Sequence, residues 1–388
     1  MVLQIDPEIT PAERELAPPA ASRGALAADG LLRAGVVGRG APPAADYTGS
    51  YSELKRIIKS RGLLDRQPGH FVARLIIVTT LLALSVAILV AVRVFWVQCL
   101  DAVFMGLVST QLGFNGHDVG HRQVFAKTWK NDLVGLFQGN LLLGMSFSWW
   151  LDKHNAHHAN PNVADCDPDI DLPMIAFSRE QAAEKRGVWR WIVSRQNWLF
   201  FPLLTLVGMD LQRSGVVFIA QGKSRYPKTE SLLLLLHFVG YFGLIFAVMP
   251  AWQAVIFILI HQAVTGVYLG SVFAPNHKGM MLVERENDLD FLRRQTLTAR
   301  NVRAGWFADT WYGGLNYQIE HHLFPTMPRG HLAAAQPIIR AYCQEHGVSY
   351  HETSVIQSYR EILASLRDVG DSVRKRPAAP TRLAPSGH

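Results

Sequence analysis

The sequence predicts an all-α integral membrane fold, and three observations lead to it. Only 18% of the 388 residues are charged and 49% are hydrophobic, whereas soluble domains average about 25% charged residues. Four apolar segments pair into two hairpins, and each can supply the roughly 20 helical residues that cross a hydrocarbon core of about 30 Å. Two further apolar stretches are too short or too polar to cross. The mean hydropathy of +0.11 averages polar ends against a very apolar middle. That mixture excludes a disordered chain and argues against a soluble enzyme. Cys99, Cys166 and Cys343 are too few and too scattered for a disulfide framework or a thiolate metal cage. The net charge of +7 is read as basic loops at a membrane, not as a nucleic-acid surface.

Residues 1–45 are rich in Ala, Pro and Gly without apolar periodicity and are expected to form a disordered tail. No charged start runs directly into an apolar core, so no cleavable signal peptide is expected. Ser50 and Glu53 have capping-box spacing ahead of Leu54, Ile57 and Ile58. A basic amphipathic helix carrying Lys55, Arg56 and Lys59 is expected there, lying on the membrane surface. The first span is predicted at residues 71–92. The second returns at 101–114, with 95–100 contributing. The third and fourth, at 231–249 and 252–273, are joined only by Pro250 and Ala251. Basic residues gather before spans one and three, at Arg56, Lys59, Arg74, Lys223, Arg225 and Lys228, while the connector between spans three and four has none. The positive-inside rule therefore places both termini in the cytoplasm.

The stretch 133–150 contains Gln138, Asn140, Gly135, Gly139 and Gly144, and the stretch 198–209 is short for a crossing. Both are expected to be interfacial or re-entrant helices. Residues 329–368 read as cytoplasmic helices and 369–388 as a basic disordered tail.

Fifteen histidines are present, none in the first 69 residues. Three groups sit at or near the ends of apolar segments: His117 with His121, His154 with His157 and His158, and His321 with His322. His277 stands alone beyond the fourth span. On a helix, positions i and i+4 lie about 40° apart and i and i+3 about 60°. His117 and His121 thus share a face, as do His154, His157 and His158. Adjacent histidines diverge by about 100°, so the pairs His157–His158 and His321–His322 can each serve two neighbouring metals. Neutral imidazole suits iron, copper, nickel or zinc. Eight imidazoles exceed what one zinc site uses, so two metals are expected. His237 and His261, inside the spans, are expected to be hydrogen-bonded interior histidines. His70, His331, His346, His351 and His388 are expected in solvent.

The run Gly313-Gly314-Leu315-Asn316-Tyr317-Gln318-Ile319-Glu320-His321-His322-Leu323-Phe324-Pro325, with the two earlier histidine groups, resembles the histidine boxes of the membrane fatty acyl desaturases. It is similar to the subgroup whose third box begins with Gln, which includes front-end and linoleoyl-CoA desaturases and bacterial enzymes lacking a fused cytochrome b5. The resemblance covers residues 50 to 355 or so and makes 46–368 one membrane desaturase domain. It implies a four-helix stem beneath a cytosolic helical cap, with a di-iron centre at their junction. The implied iron ligands are His117, His121, His154, His157, His158, His277, His321 and His322. Gln318 stands where relatives have a ligating histidine. Phe273 stands where some relatives have an Asn four positions before the additional histidine, so one iron is expected to be held less completely or by water.

Residues 1–69 contain no histidine for a b5 haem, which needs two. Electrons are therefore expected from a separate ferredoxin or cytochrome with its reductase, and a bacterial inner membrane is the expected location. The implied reaction inserts a cis double bond into an acyl lipid or acyl-CoA chain. Unactivated methylenes have no acid–base route, so the oxidant must come from O2 and two irons. Asp118 and Glu320 are expected to accept imidazole N–H groups and fix ring orientation, and Gln318 and Asn316 to stand beside them. Asp165, Asp167, Asp169 and Asp171 are expected to pair with imidazoles or cap bases. Arg300, Arg303 and Trp306 are candidates for the chain or headgroup entrance. A hydroxylase on the same scaffold and a histidine-rich metal transporter are the competing readings. A transporter would need polar ligands along the spans, whereas these histidines cluster outside them.

Overall fold

The computed structural model describes residues 50–374. The N-terminal tail expected at 1–45 lies outside the described residues, as do 375–388 with His388. The helices run, in order, α1 (Ser50–Ser60), α2 (Pro68–Ala91), α3 (Phe95–Gly120), α4 (Thr128–Gly135), α5 (Phe147–Ala159), α6 (Arg179–Glu184), α7 (Gly187–Val193), α8 (Gln196–Leu204) and α9 (Val207–Ala220). They continue with α10 (Pro227–Val248), α11 (Ala251–His277), α12 (Phe291–Leu297), α13 (Trp306–Trp311), α14 (Gln318–Leu323), α15 (Arg329–Glu345) and α16 (Val355–Arg374). The short strands β1 (Asn301–Val302) and β2 (Glu352–Thr353) pair in parallel.

Among the described residues four helices, α2, α3, α10 and α11, are long and apolar enough to cross a membrane. Pro68 and Pro227 open the first turns of α2 and α10, where a missing N–H costs nothing. The protein buries 17% of the most apolar stretch of α2 and of α10, against 56% for α3 and 44% for α11. The pair α3–α11 is therefore the protein-facing centre of the stem, and α2 and α10 face lipid. Small residues allow the close approach around α11. A methyl group on Gly266 would lie 2.3 Å from the Leu204 carbonyl of α8, as expected where backbones meet in a bilayer.

The central pair is also the longest. With 26 residues in α3 and 27 in α11, each rises about 39–40 Å, well beyond a core of about 30 Å. The surplus turns carry His117 and His277 clear of the hydrocarbon. If these four helices alone cross, Ser50, Arg374 and these helix ends share one side.

The stretch expected to be interfacial is broken three ways. α4 continues into a π-helix (Leu136–Leu142), the chain turns at Gly144, and α5 starts at Phe147. Ser146 caps α5 by accepting from Trp149 N at 3.1 Å. The fully buried Glu230 of α10 accepts from Ser148 N at 2.9 Å and from the Ser146 and Ser224 hydroxyls. A carboxylate at a helix N-terminus is favoured by the backbone dipole. The third span thus fixes the start of the helix that carries His154, His157 and His158. The second short stretch forms α8 and α9, two helices meeting at a bend of 69° and together longer than the sequence suggested.

Two expectations are corrected. Leu54 and Ile58 of α1 do not lie in lipid. They are fully buried with Ile319, Leu323 and Leu332 in the cap core, and the Tyr51 hydroxyl donates to the Leu323 carbonyl at 2.7 Å. The last helix does not stop at 368. It runs to Arg374 because Val369 packs on Ala182 and Val193.

Glu230→Ala should leave the Ser148 N–H and two hydroxyls without a partner and cost about 1–3 kcal/mol. A lowered thermal unfolding midpoint of the full chain in detergent, with reduced metal content because α5 is displaced, is the expected result.

Candidate metal centre

Four elements bring imidazoles to one place. The end of α3 supplies His117 and, one residue past it, His121. One face of α5 supplies His154, His157 and His158, α11 ends on His277, and the single-turn α14 supplies His321 and His322. The close approach of α5 requires Gly120, where a methyl group would lie 2.1 Å from the Trp150 ring. Trp150 itself stacks on His154 at 4.5 Å.

The rings sort into two groups. In one, His117, His121, His154, His158 and His321 each offer a nitrogen within 4.8 Å of the others; in the second, His157, His277 and His322 do so. The adjacent pairs divide as the 100° offset requires, His158 and His321 to the first group and His157 and His322 to the second.

In the second group every Nδ1 faces an acceptor: His157 meets Asp167 at 3.0 Å, His277 the Thr298 carbonyl at 3.0 Å, and His322 Gln295 Oε1 at 2.9 Å. These contacts place the ring hydrogen on Nδ1 and turn the Nε2 lone pairs inward. His157 Nε2 and His277 Nε2 then face each other at 3.3 Å, and His322 Nε2 has no partner. In the first group Nε2 meets Nε2 at 2.8 Å between His154 and His121, 3.1 Å between His158 and His154, and 3.1 Å between His321 and His158. His117 Nε2 is buried and unpartnered.

Protonation does not relieve this crowding. Burial first, and then neighbouring imidazoles, hold His121, His154, His158, His321 and His322 well below the ordinary histidine range. Inward lone pairs on neutral rings fit a transition-metal cation, and two groups fit two ions.

Carboxylates and lysines surround the second group. Asp167 also accepts from the Asn162 and Asp169 backbone N–H at 2.7 and 2.8 Å. Burial would raise its pKa, but His157 outweighs that and holds it low. Burial likewise works against the Asp169 carboxylate, and Lys153 with His157 and Lys278 keeps it ionised. The Gln318 amide reaches His277 Nε2 at 2.9 Å, and its Oε1 accepts from Asn276 Nδ2 at 2.9 Å. Asn276 Oδ1 has no partner. Exchanging the ends of both amides would keep a hydrogen bond between them, Gln318 Nε2 then donating to Asn276 Oδ1, and present the Gln318 oxygen to the same point as the imidazoles.

His117, His154, His157, His277 and Gln318 line a cavity of about 1210 Å³. It descends between the spans past Ser109 and Met105 to Leu82, Val86 and Leu89.

Residues 93–354 match the family model described as fatty acid desaturase. The chain belongs to the fatty acid desaturase family. It is 30% identical over 357 residues to the acyl-lipid (9-3)-desaturase of Physcomitrium patens, covering 87% of this chain and 65% of that one. It is 29% identical to the Delta(8)-fatty-acid desaturase of Helianthus annuus, over 87% of this chain and 77% of the relative. The Delta(5) fatty acid desaturase fat-4 of Caenorhabditis elegans is 30% identical over 78% of this chain and 69% of its own.

Of the other residues singled out in this family member, several stand elsewhere than expected. Asp118 does not accept from an imidazole. It pairs with Arg329 at 2.8 Å and stays 3.9 Å from His117 Nδ1. Glu320 turns away from the rings and accepts from Asn301 and Tyr350, both at 2.6 Å; burial pushes its pKa up to about 6. Asn316 donates to Asp309 at 2.7 Å. Arg300, fully buried, ties the Pro275 and Lys278 carbonyls at the end of α11 to Glu361 of α16, and neither it nor Arg303 nor Trp306 lines the cavity. Asp165 is exposed. His331, His346 and His351 are half-buried and hydrogen-bonded, where solvent was expected. His237 and His261 are interior and hydrogen-bonded as expected, to the Leu141 carbonyl and to Ser109 and Tyr241.

Gln295 and the Thr298 carbonyl were not foreseen. The one available signal was the spacing of Leu292, Gln295 and Thr296, the buried face of α12.

Asp167→Asn should weaken metal binding by about 10–100-fold, as for other groups that orient a ligating imidazole. Glu320→Gln should leave metal content unchanged and lower thermal stability only. Chelator competition followed by metal analysis of the two purified variants separates these outcomes.

Proposed function

We propose that the protein inserts a cis double bond into the acyl chain of a lipid or acyl-CoA, using O2 and two electrons from a separate donor protein. The observation that carries this reading is the opening of two imidazole groups onto a deep, mostly apolar cavity between membrane spans. Family membership supports it, as do relatives whose names specify desaturation of fatty acyl chains.

Two iron ions are the proposed occupants, the first held by His117, His121, His154, His158 and His321, and the second by His157, His277 and His322 with Gln318 beside them. Bound there, iron supplies the O2-derived oxidant that unactivated C–H bonds require.

The chain's own residues do the rest. Asp167, Gln295 and the Thr298 carbonyl hold protons on Nδ1 so that Nε2 stays free. Leu82, Val86, Leu89 and Met105 line the lower cavity and keep an acyl chain extended and dry. Met105 lies twelve residues below His117 on α3, a depth of about 18 Å, so a long chain can pass the histidines with its tail in the bilayer. The positive flanks of α2 and α10 support a cytoplasmic orientation for the cap, the histidines and both ends. A ferredoxin or a cytochrome with its reductase would supply electrons from that side.

Expression beside a matched electron donor, with mass-spectrometric mapping of cellular fatty acids, tests the reading. Wild-type protein should yield a new olefin at one position. His157→Ala and His321→Ala should each abolish it while remaining membrane-inserted at normal levels. An alcohol product, or undiminished olefin in either variant, would refute the proposal.

A further inference from the structure

A second, much smaller hollow lies behind the first histidine group. Gln67, His70 and Arg74 at the start of α2, Asp118 of α3 and Arg329 of α15 line it, and it shares no lining residue with the large cavity. Its volume of about 20 Å³ admits one water and nothing as large as a phosphate. The hollow can be covered by a partner but not filled by a ligand.

Its charge is one-sided. Two guanidinium groups share the single carboxylate of the lining, Arg329 at 2.8 Å and Arg74 at 3.9 Å from Asp118, which leaves one cation in surplus. Arg74 also donates to His70 Nε2 at 3.0 Å. The chain leading in is pinned by His331, whose Nδ1 donates to the Leu63 carbonyl at 2.9 Å and whose Nε2 accepts from the Gln67 amide. The backbone of Arg66 is thereby held beside the hollow, and Arg66 and His70 are both exposed. From residue 61 to 74, Arg61, Arg66 and Arg74 outnumber one acid, Asp65.

The hollow is also a short way in to the histidines. One Asp118 oxygen takes Arg329, and the other stands 3.9 Å from His117 Nδ1. The Arg329 side chain is 12% exposed and that of Arg74 26%, so two side chains separate solvent from an imidazole of the first group. The acyl cavity meets His117 as well, but that space has to stay dry and does not admit a protein.

Resting on the desaturase reading above, we propose that this rim is where the separate electron donor docks, and that the donor is a small protein with an acidic face around its redox group. Its carboxylates meet Arg66, Arg74 and Arg329, and its electrons enter by way of Arg329 and Asp118 on the His117 side. Electrostatic complementarity of this kind steers brief encounters and sets their rate. Each docking oxidises the carrier by one electron and reduces the metal centre by one. Two dockings and two protons from water, with two electrons and two protons from the acyl chain, reduce O2 to two waters. A membrane anion would need room for a phosphate between the guanidinium groups, and the hollow has none.

The test places the full iron-loaded chain in phosphatidylcholine nanodiscs, with an acidic plant-type ferredoxin and its reductase as the probe. The double variant Arg66→Glu with His70→Glu should raise KM for ferredoxin at least about tenfold, the low end of what steering charges contribute. Its kcat at saturating ferredoxin and its iron content should not change. Arg367→Glu, the same reversal at an exposed position of α16, should leave KM unaltered. Binding of oxidised ferredoxin, read by interferometry without turnover, should weaken by the same factor in the double variant and with added salt in the wild type. Dithionite with methyl viologen, which needs no docking surface, should reduce both proteins equally fast. An unchanged KM, an equal rise in Arg367→Glu, or a defect seen only when phosphatidylglycerol is added would overturn the docking assignment, the last by making the rim a lipid site. Those outcomes leave the desaturase reading standing, whereas no olefin from any donor, the chemical reductant included, refutes that reading.

Discussion

Lone pairs that face one another inside protein govern this structure. Neutral imidazoles repel when their unprotonated nitrogens converge, and each buried nitrogen without a partner costs about 1–3 kcal/mol. The second group of histidines is nevertheless built so that no ring can turn away. Asp167, the Thr298 carbonyl and Gln295 occupy the outer nitrogens of His157, His277 and His322, and the inner nitrogens are left without a proton to share. A cation among them would relieve that repulsion, and the surrounding fold is a frame that holds the rings in place.

That frame draws its stiffness from connections that a bilayer alone would not provide. Packing between spans is held by close approach and not by hydrophobic burial, because lipid is as apolar as the helices. Polar ties at the ends of the spans add registry. Glu230 locks the third span to the start of α5. Arg300 satisfies carbonyls at the end of α11, which have no partner within the helix, and joins them to α16. Arg329 brings α15 down onto Asp118 and the Phe114 carbonyl of α3. The ends of α3 and α11 are thereby attached to different parts of the cap, and the start of α5 to a span. An error in any one span would be transmitted to the rings.

Much of this was legible in the sequence, because period and length carry it. The four spans, the two hairpins and the division of adjacent histidines between two groups follow from 1.5 Å of rise and 100° of turn per residue. The same arithmetic explains the failures. Asp118 beside His117 and Glu320 beside His321 were read as imidazole partners on adjacency, yet a neighbour in a helix is turned by about 100°. Both carboxylates face other elements, Arg329 in one case and Asn301 with Tyr350 in the other. Two of the true acceptors sit on α12 and the chain following it, where only folding brings them near, while the third, Asp167 in the loop after α5, was among the carboxylates expected to pair with imidazoles. Nothing local marks a Gln or a main-chain carbonyl as a partner for an imidazole more than twenty residues away. The amphipathic α1 was misplaced for a related reason: periodicity reveals an apolar face, but lipid and a cap core satisfy it equally.

The two histidine groups are unlike, and the difference is physical. The first gathers five imidazoles, two of them with an unpartnered Nδ1, on His158 and His321. The second has three imidazoles, all anchored, and a Gln amide where a further ring could stand. An amide oxygen is a weaker donor than imidazole and carries no titratable proton, so the second position is held by fewer strong ligands in a stiffer setting. The cavity meets His157, His277 and Gln318 there, and His117 and His154 on the other side. The more open face of each group therefore points towards the space that would hold a chain, while the better-filled faces point into the cap. Ligand count alone would make the first position the tighter one. The anchored rings of the second would lose less freedom on binding an ion, which would offset the smaller number of donors beside a wide cavity.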